Sequence, residues 1–153
     1  MTKDEVRAYI AAFNRLDFDG FGKYYAEDVT LSLSGKRTLS SRAEILDFYR
    51  EVAKVCREKL DITQLVVDDE GVAIEVKTEF KALVDDPGFI AGPLVPGQSI
   101  FITSRIFYAV RDGRFAAIDA LRVGDARTGP STCLLYTSPS PRDRTRSRMP
   151  SSA

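Results

Sequence analysis

The chain has 153 residues, enough for one ordinary domain or for one domain and a tail. Hydrophobic residues make up 44% of it, sufficient for a real core, with nine Phe and six Tyr supplying bulk in the absence of Trp. Basic and acidic residues balance at 22 each; the lack of histidine excludes imidazole acid–base and metal chemistry, and two cysteines exclude a disulfide framework.

No run approaches the roughly 18 apolar residues of a membrane span. The start, Met1-Thr2-Lys3-Asp4-Glu5, is polar and acidic, unlike a secretory signal. The expectation is a cytoplasmic protein that engages neither membrane nor nucleic acid and carries no metal and no cofactor.

Thr2 and Glu5 have the spacing of a capping box, followed by apolar residues at Val6, Tyr9, Ile10, Phe13 and Leu16, one face of a helix. Asp17 and Gly20 interrupt it, and a short helical turn is expected over residues 21–26. Residues 29–34 alternate as a short strand that stops at Gly35. Ser41 and Glu44 repeat the capping signal before a second long helix marked by Ile45, Phe48, Tyr49, Val52, Val55 and Cys56. Cys56 reads there as a small buried hydrophobe.

From there the chain turns to strands. Residues 60–67 form a plausible strand and Asp68-Asp69-Glu70-Gly71 a turn. Val72, Ile74, Val76, Thr78 and Phe80 then alternate with Ala73, Glu75, Lys77, Glu79 and Lys81, one buried face and one solvated face. Residues 85–98 hold three Pro and three Gly and read as a long loop, a lid or rim for a pocket. Residues 99–110 and 114–123 are two more strands around Arg111-Asp112-Gly113, a hairpin signal. Helices first and an antiparallel meander after them predict an α+β fold, with the helices on the concave face of a curved antiparallel sheet.

The last stretch differs. Residues 133–153 hold four Arg, one Asp and three of the seven Pro, the composition of a disordered basic segment. Yet residues 133–143 and 147–153 resemble, in one reading frame, a translated transposase sequencing adapter interrupted by three variable codons. The expectation is a domain over residues 1–128 and a disordered tail over 129–153, non-native from 133 and without function.

The element order resembles the cone-shaped nuclear transport factor 2-like superfamily, and within it the SnoaL-like and ketosteroid isomerase-like proteins. The stretches that carry the likeness are Ala8-Tyr9-Ile10-Ala11-Ala12-Phe13-Asn14, Asp17-Phe18-Asp19-Gly20, Tyr25-Ala26-Glu27-Asp28-Val29-Thr30, Ile45-Leu46-Asp47-Phe48-Tyr49 and Arg111-Asp112-Gly113-Arg114-Phe115. The resemblance implies a cystatin-like α+β roll, a homodimer, and an apolar pocket for a small hydrophobic molecule. By alignment with ketosteroid isomerases, a lead tyrosine falls on Tyr9 and its supports on Tyr25 and Tyr49. The general-base position falls on Leu33, and a second acid falls near Ser104 or Arg105. The acid that SnoaL-type cyclases place on the last strand falls near Ala120. None of these positions holds a carboxylate. Moving a proton next to a carbonyl needs a base within reach, so the steroid isomerase reaction is not expected.

The pocket should be lined by Tyr9, Phe13, Tyr25, Leu33, Phe48, Tyr49, Val76, Thr78, Phe80, Ser104, Tyr108, Ile118 and Ala120. Tyr9 is the expected polar anchor, with Ser104 or Tyr108 beside it. Catalytic candidates are Tyr9 and an Arg105–Asp119 cross-strand pair that a three-residue hairpin loop would place opposite each other. The same pair reads better as a salt bridge at a surface or subunit interface, and the tyrosines also read as core rings whose hydroxyls satisfy one another. Three functions remain open: a binding domain for a small hydrophobic ligand, an isomerase, cyclase or hydrolase using an unrecognised acid, or a non-catalytic dimerisation module with a filled core.

Overall fold

The computed structural model describes residues 1–131. The expectations for residues 133–153 lie outside the described residues. Helix α1 spans Lys3–Asn14, α2 Phe18–Gly22 and α3 Arg42–Val55. The strands are β1 Tyr25–Leu33, β2 Arg37–Leu39, β3 Cys56–Val67, β4 Gly71–Ala82, β5 Gln98–Arg111 and β6 Arg114–Pro130.

The first capping signal forms its box as read; the second caps through Ser41, while Glu44 Oε1 accepts from Ser40 N instead of Ser41 N. Glu5 N donates to Thr2 Oγ1 at 3.1 Å while Thr2 N donates to Glu5 Oε1 at 2.9 Å. Ser41 Oγ accepts from Glu44 N at 3.1 Å. Each arrangement satisfies amide donors that a helix start leaves open. The short helix comes earlier than expected: Asp17 caps α2 through Gly20 N, and Tyr25 already belongs to β1.

The six strands form one sheet in the order β2-β1-β6-β5-β4-β3. All neighbours are antiparallel except β1 and β6, which run parallel because the α3–β3–β4–β5 excursion separates them. The β5–β6 turn is tighter than expected. Arg111 pairs with Arg114 across Asp112 (φ 55°) and Gly113 (φ 75°), the left-handed pair that matches strand twist in a two-residue turn. A bulge beyond it shifts the ladder, so Arg105 faces Leu121 and Asp119 faces Phe107. Arg105 and Asp119 are therefore not opposite each other.

A single concave face collects Leu60 from β3, Val76, Thr78 and Phe80 from β4, Ser104, Ile106 and Tyr108 from β5, and Ile118 from β6, all buried. Helix α1 lays Val6, Tyr9, Ile10, Ala12 and Phe13 against it. At the exposed edge of the sheet, Asn14 occupies both backbone groups of Leu60, donating from Nδ2 to its carbonyl at 2.9 Å and accepting its N–H on Oδ1 at 2.8 Å. That bond pair ties the helix to β3 and closes part of an edge open to pairing. Asn14→Ala strands both groups and should cost about 1–3 kcal/mol, read as a lower urea midpoint at an unchanged slope.

Candidate functional site

The helices cover the concave face without filling it. Between them and the sheet lies a cavity of about 120 Å³, of the order of the roughly 150 Å³ apolar cavity that accepts benzene in an engineered protein. Every residue named from the sequence as lining a pocket lies on its wall. Phe89, Ile90 and Ala91 complete it from the loop between β4 and β5. Phe89 is held over Phe80 with ring centres 5.3 Å apart, and Ala91 and Leu94 of the same loop are buried. The Pro/Gly-rich segment is thus an ordered part of the rim.

At the narrow end, Tyr9 meets five rings, with Phe115 at 4.9 Å and Tyr25 at 5.8 Å between centroids. Its hydroxyl is 2.8 Å from that of Tyr25, and Tyr108 interacts more weakly with it. Tyr49 departs from the expected network. It packs edge-on against Phe13 (4.9 Å) and Phe48 (5.1 Å), and its hydroxyl makes no hydrogen bond with a described residue. Burial pushes the phenols of Tyr9, Tyr25, Tyr49 and Tyr108 well above their ordinary range, so all four stay protonated and able to donate.

Arg105 and Asp119 lie on the other face of the sheet. Arg105 Nε donates to Glu75 Oε1 at 3.1 Å in an exposed ion pair, and Asp119 lines an open groove with Phe107, Ala109 and Ala117. Neither lines the cavity. Leu33 and Ala120 do, and they are register partners across β1 and β6. Two positions where relatives were expected to hold acids thus hold adjacent apolar side chains.

The acid of this cavity is elsewhere. Glu58 on β3 pairs in register with Phe80, which puts it on the inner face with Leu60, and its side chain lines the cavity. It makes no hydrogen bond or ion pair with a described residue. Removal from water, unopposed by any partner, pushes its pKa from the ordinary 4.5 to about 8. Its charge acts on Tyr9, Tyr25 and Tyr49, and for Tyr49 it is the largest influence after burial. Sequence reasoning missed Glu58 because it carried the helix through Cys56 and began the strand at Leu60. The helix ends at Val55 with neither Gly nor Pro to mark it, and Cys56 is already extended, at φ −155°. The signal was the alternation Cys56, Glu58, Leu60, Ile62 against Arg57, Lys59, Asp61. Cys56 itself is buried, and burial raises its thiol to about 12, so it is no nucleophile.

No group of three or more His, Cys, Asp or Glu side chains converges on a possible metal site among the described residues, and no described helix is long and apolar enough to cross a membrane.

The raised pKa has a sign that can be measured. Between pH 4.5 and about 8 the folded chain keeps a proton that the unfolded chain releases. Stability from this group is therefore complete at low pH and is lost as pH rises through that window. Glu58→Gln, neutral throughout, should melt progressively higher than the parent from pH 4.5 to 8, with a constant difference above.

Comparisons with known proteins agree with this architecture. A SnoaL-like domain model matches residues 6–118. A candidate polyketide cyclase from Xanthomonas campestris pv. campestris is 26% identical with a TM-score of 0.67, over 77% of this chain and 87% of that one. Another from Pseudomonas putida is 28% identical with a TM-score of 0.67, over 78% and 90%. A candidate ketosteroid isomerase from Kribbella flavida, 20% identical over 93% of both chains with a TM-score of 0.61, shares the fold. No curated protein matches. With the matched segment running from α1 into the start of β6, the chain belongs to the SnoaL-like domain family.

Proposed function

We propose that the cavity binds a small apolar molecule bearing a carbonyl or phenol, and that Glu58 moves a proton on it. The observation that carries this reading is the unpartnered Glu58 carboxyl on the wall of an apolar cavity, beside the free hydroxyl of Tyr49. A group titrating near 8 is mostly a proton donor at neutral pH and an effective acceptor just above it. The Tyr49 hydroxyl can donate to the substrate oxygen where negative charge develops. When the Glu58 carboxylate takes a proton from the carbon next to a carbonyl, the electron pair moves onto that oxygen as an enolate. Return of the proton to the same or another carbon regenerates the carboxylate. Tyr9, its hydroxyl engaged with that of Tyr25, holds the floor. The open cavity speaks for this reading and for simple binding over a filled dimerisation module. The candidate polyketide cyclases among the neighbours suit a substrate of this kind.

The test needs no knowledge of the natural substrate. A small aryl ketone is incubated in D₂O at pH 8, and deuterium entry next to the carbonyl is followed by NMR. The parent should exchange well above the buffer rate, Glu58→Gln should lose about 10²-fold or more, and Tyr49→Phe should fall between. Exchange by Glu58→Gln equal to the parent's would refute the role of Glu58. Saturable binding without exchange in any protein would leave the binding domain as the function.

We further infer a homodimer formed through the outer face of β5 and β6, where Phe107, Leu121 and Val123 remain 48%, 42% and 39% exposed. Apolar side chains grouped on one sheet face suit a self-complementary two-fold contact. Light scattering should give a dimer mass for the parent and a monomer mass for the Phe107→Lys, Leu121→Lys double variant.

A further inference from the structure

The cavity has a second polar end, remote from Glu58. Of the charged residues on its wall, Lys36 and Arg122 are cations, and Glu58 is the lone acid among the described residues. Arg122 sits on the inner face of β6, half-buried, directly across from Ser104 of β5. Lys36 comes from the turn between β1 and β2. That turn is stapled to β6 at the same place. Ser34 N donates to the Ala120 carbonyl at 2.7 Å, and Ser34 Oγ accepts from Arg122 N at 3.0 Å. The fold therefore brings the two cations to one mouth. Neither side chain has an ion pair with a described residue.

A second observation points the same way. Ser104 is 8% exposed, faces the cavity, and its hydroxyl has no partner among the described residues. Buried hydroxyls are ordinarily satisfied, and a hydroxyl next to a guanidinium on a cavity wall is a donor awaiting an acceptor. Glu58 cannot supply it. It lies on β3, three strand spacings of about 4.8 Å along the sheet from β6, and its carboxyl has no ion-pair partner.

We infer that Arg122, Lys36 and Ser104 form a carboxylate-recognition site at the mouth of the cavity, so that the ligand is a small aryl or alkyl carboxylate lying with its charged end outward. This rests on the reading of the cavity as a ligand site. It adds what orients the ligand: the anion at the mouth sends the opposite, carbonyl- or phenol-bearing end toward Tyr49 and Glu58. The guanidinium fork suits the two oxygens of a carboxylate, and Lys36 adds charge without fixed geometry.

The experiment compares two ligands that differ only in charge, 3-(4-hydroxyphenyl)propanoate and its methyl ester, by calorimetric titration at pH 7 in low and high salt. The parent should bind the acid about tenfold or more tightly than the ester, and added salt should shrink that gap. Arg122→Gln should erase most of the preference for the acid over the ester, and Lys36→Gln should erase a smaller part. Equal affinity of the parent for acid and ester overturns the carboxylate site and leaves the cavity reading intact. Binding of neither overturns both. The parent comparison stands even where a variant fails to fold.

Discussion

The hydrogen bond between the Tyr9 and Tyr25 hydroxyls, 2.8 Å long and buried, joins the first helix to the first strand at the narrow end of the cone. Two polar atoms inside an aromatic cluster must find each other or go unsatisfied, so this contact fixes how far α1 slides along the sheet. Phe21, Phe115 and Tyr108 then close around the Tyr9 ring. With that end sealed and Asn14 holding the far end of the helix to Leu60, α1 bridges the sheet like a strut. The space beneath it and α3 is left open because neither helix can settle further onto the sheet. The cavity lies beneath a helix held by two polar attachments, one at its middle and one at its C-terminal end.

What could be read in the sequence is what local rules determine. Thr2 with Glu5 and Ser41 with Glu44 mark helix starts by hydrogen bonds spanning three residues. The alternation from Val72 to Phe80 states which side of β4 is wet. The resemblance to ketosteroid isomerase-like and SnoaL-like proteins carried the assignment on to Ser104, Ile118 and Ala120. What failed depended on single-residue events without a local marker. The end of α3 at Val55 is imposed by the pairing of Cys56 with Ala82, some two dozen residues away in the chain, and Glu58 was lost with it. The two-residue turn and the bulge after it each shifted the ladder by one, so Asp119 faces Phe107, two residues from Arg105, since a ladder shift re-pairs every residue beyond it. Tyr49 was placed correctly on its helix and wrongly in its bonding: residue type predicts a donor but not which hydroxyl it will reach.

Leu33 and Ala120 make one side of the cavity inert, and Glu58 makes the opposite edge acidic. An acid in this fold is valuable only where water is scarce and no arginine or backbone amide stabilises its charge. Either would pull its pKa back toward 4 and make it a poor base. Glu58 meets that condition because its neighbours on the wall are Leu60, Phe80 and Val52, and its polar neighbour, Tyr49, is itself neutral. Arg57 and Lys59 adjoin it in sequence but point to the other face, as alternation along a strand requires. The site is therefore built on a period of two: the same strand offers cations to solvent and a lone carboxyl to the cavity.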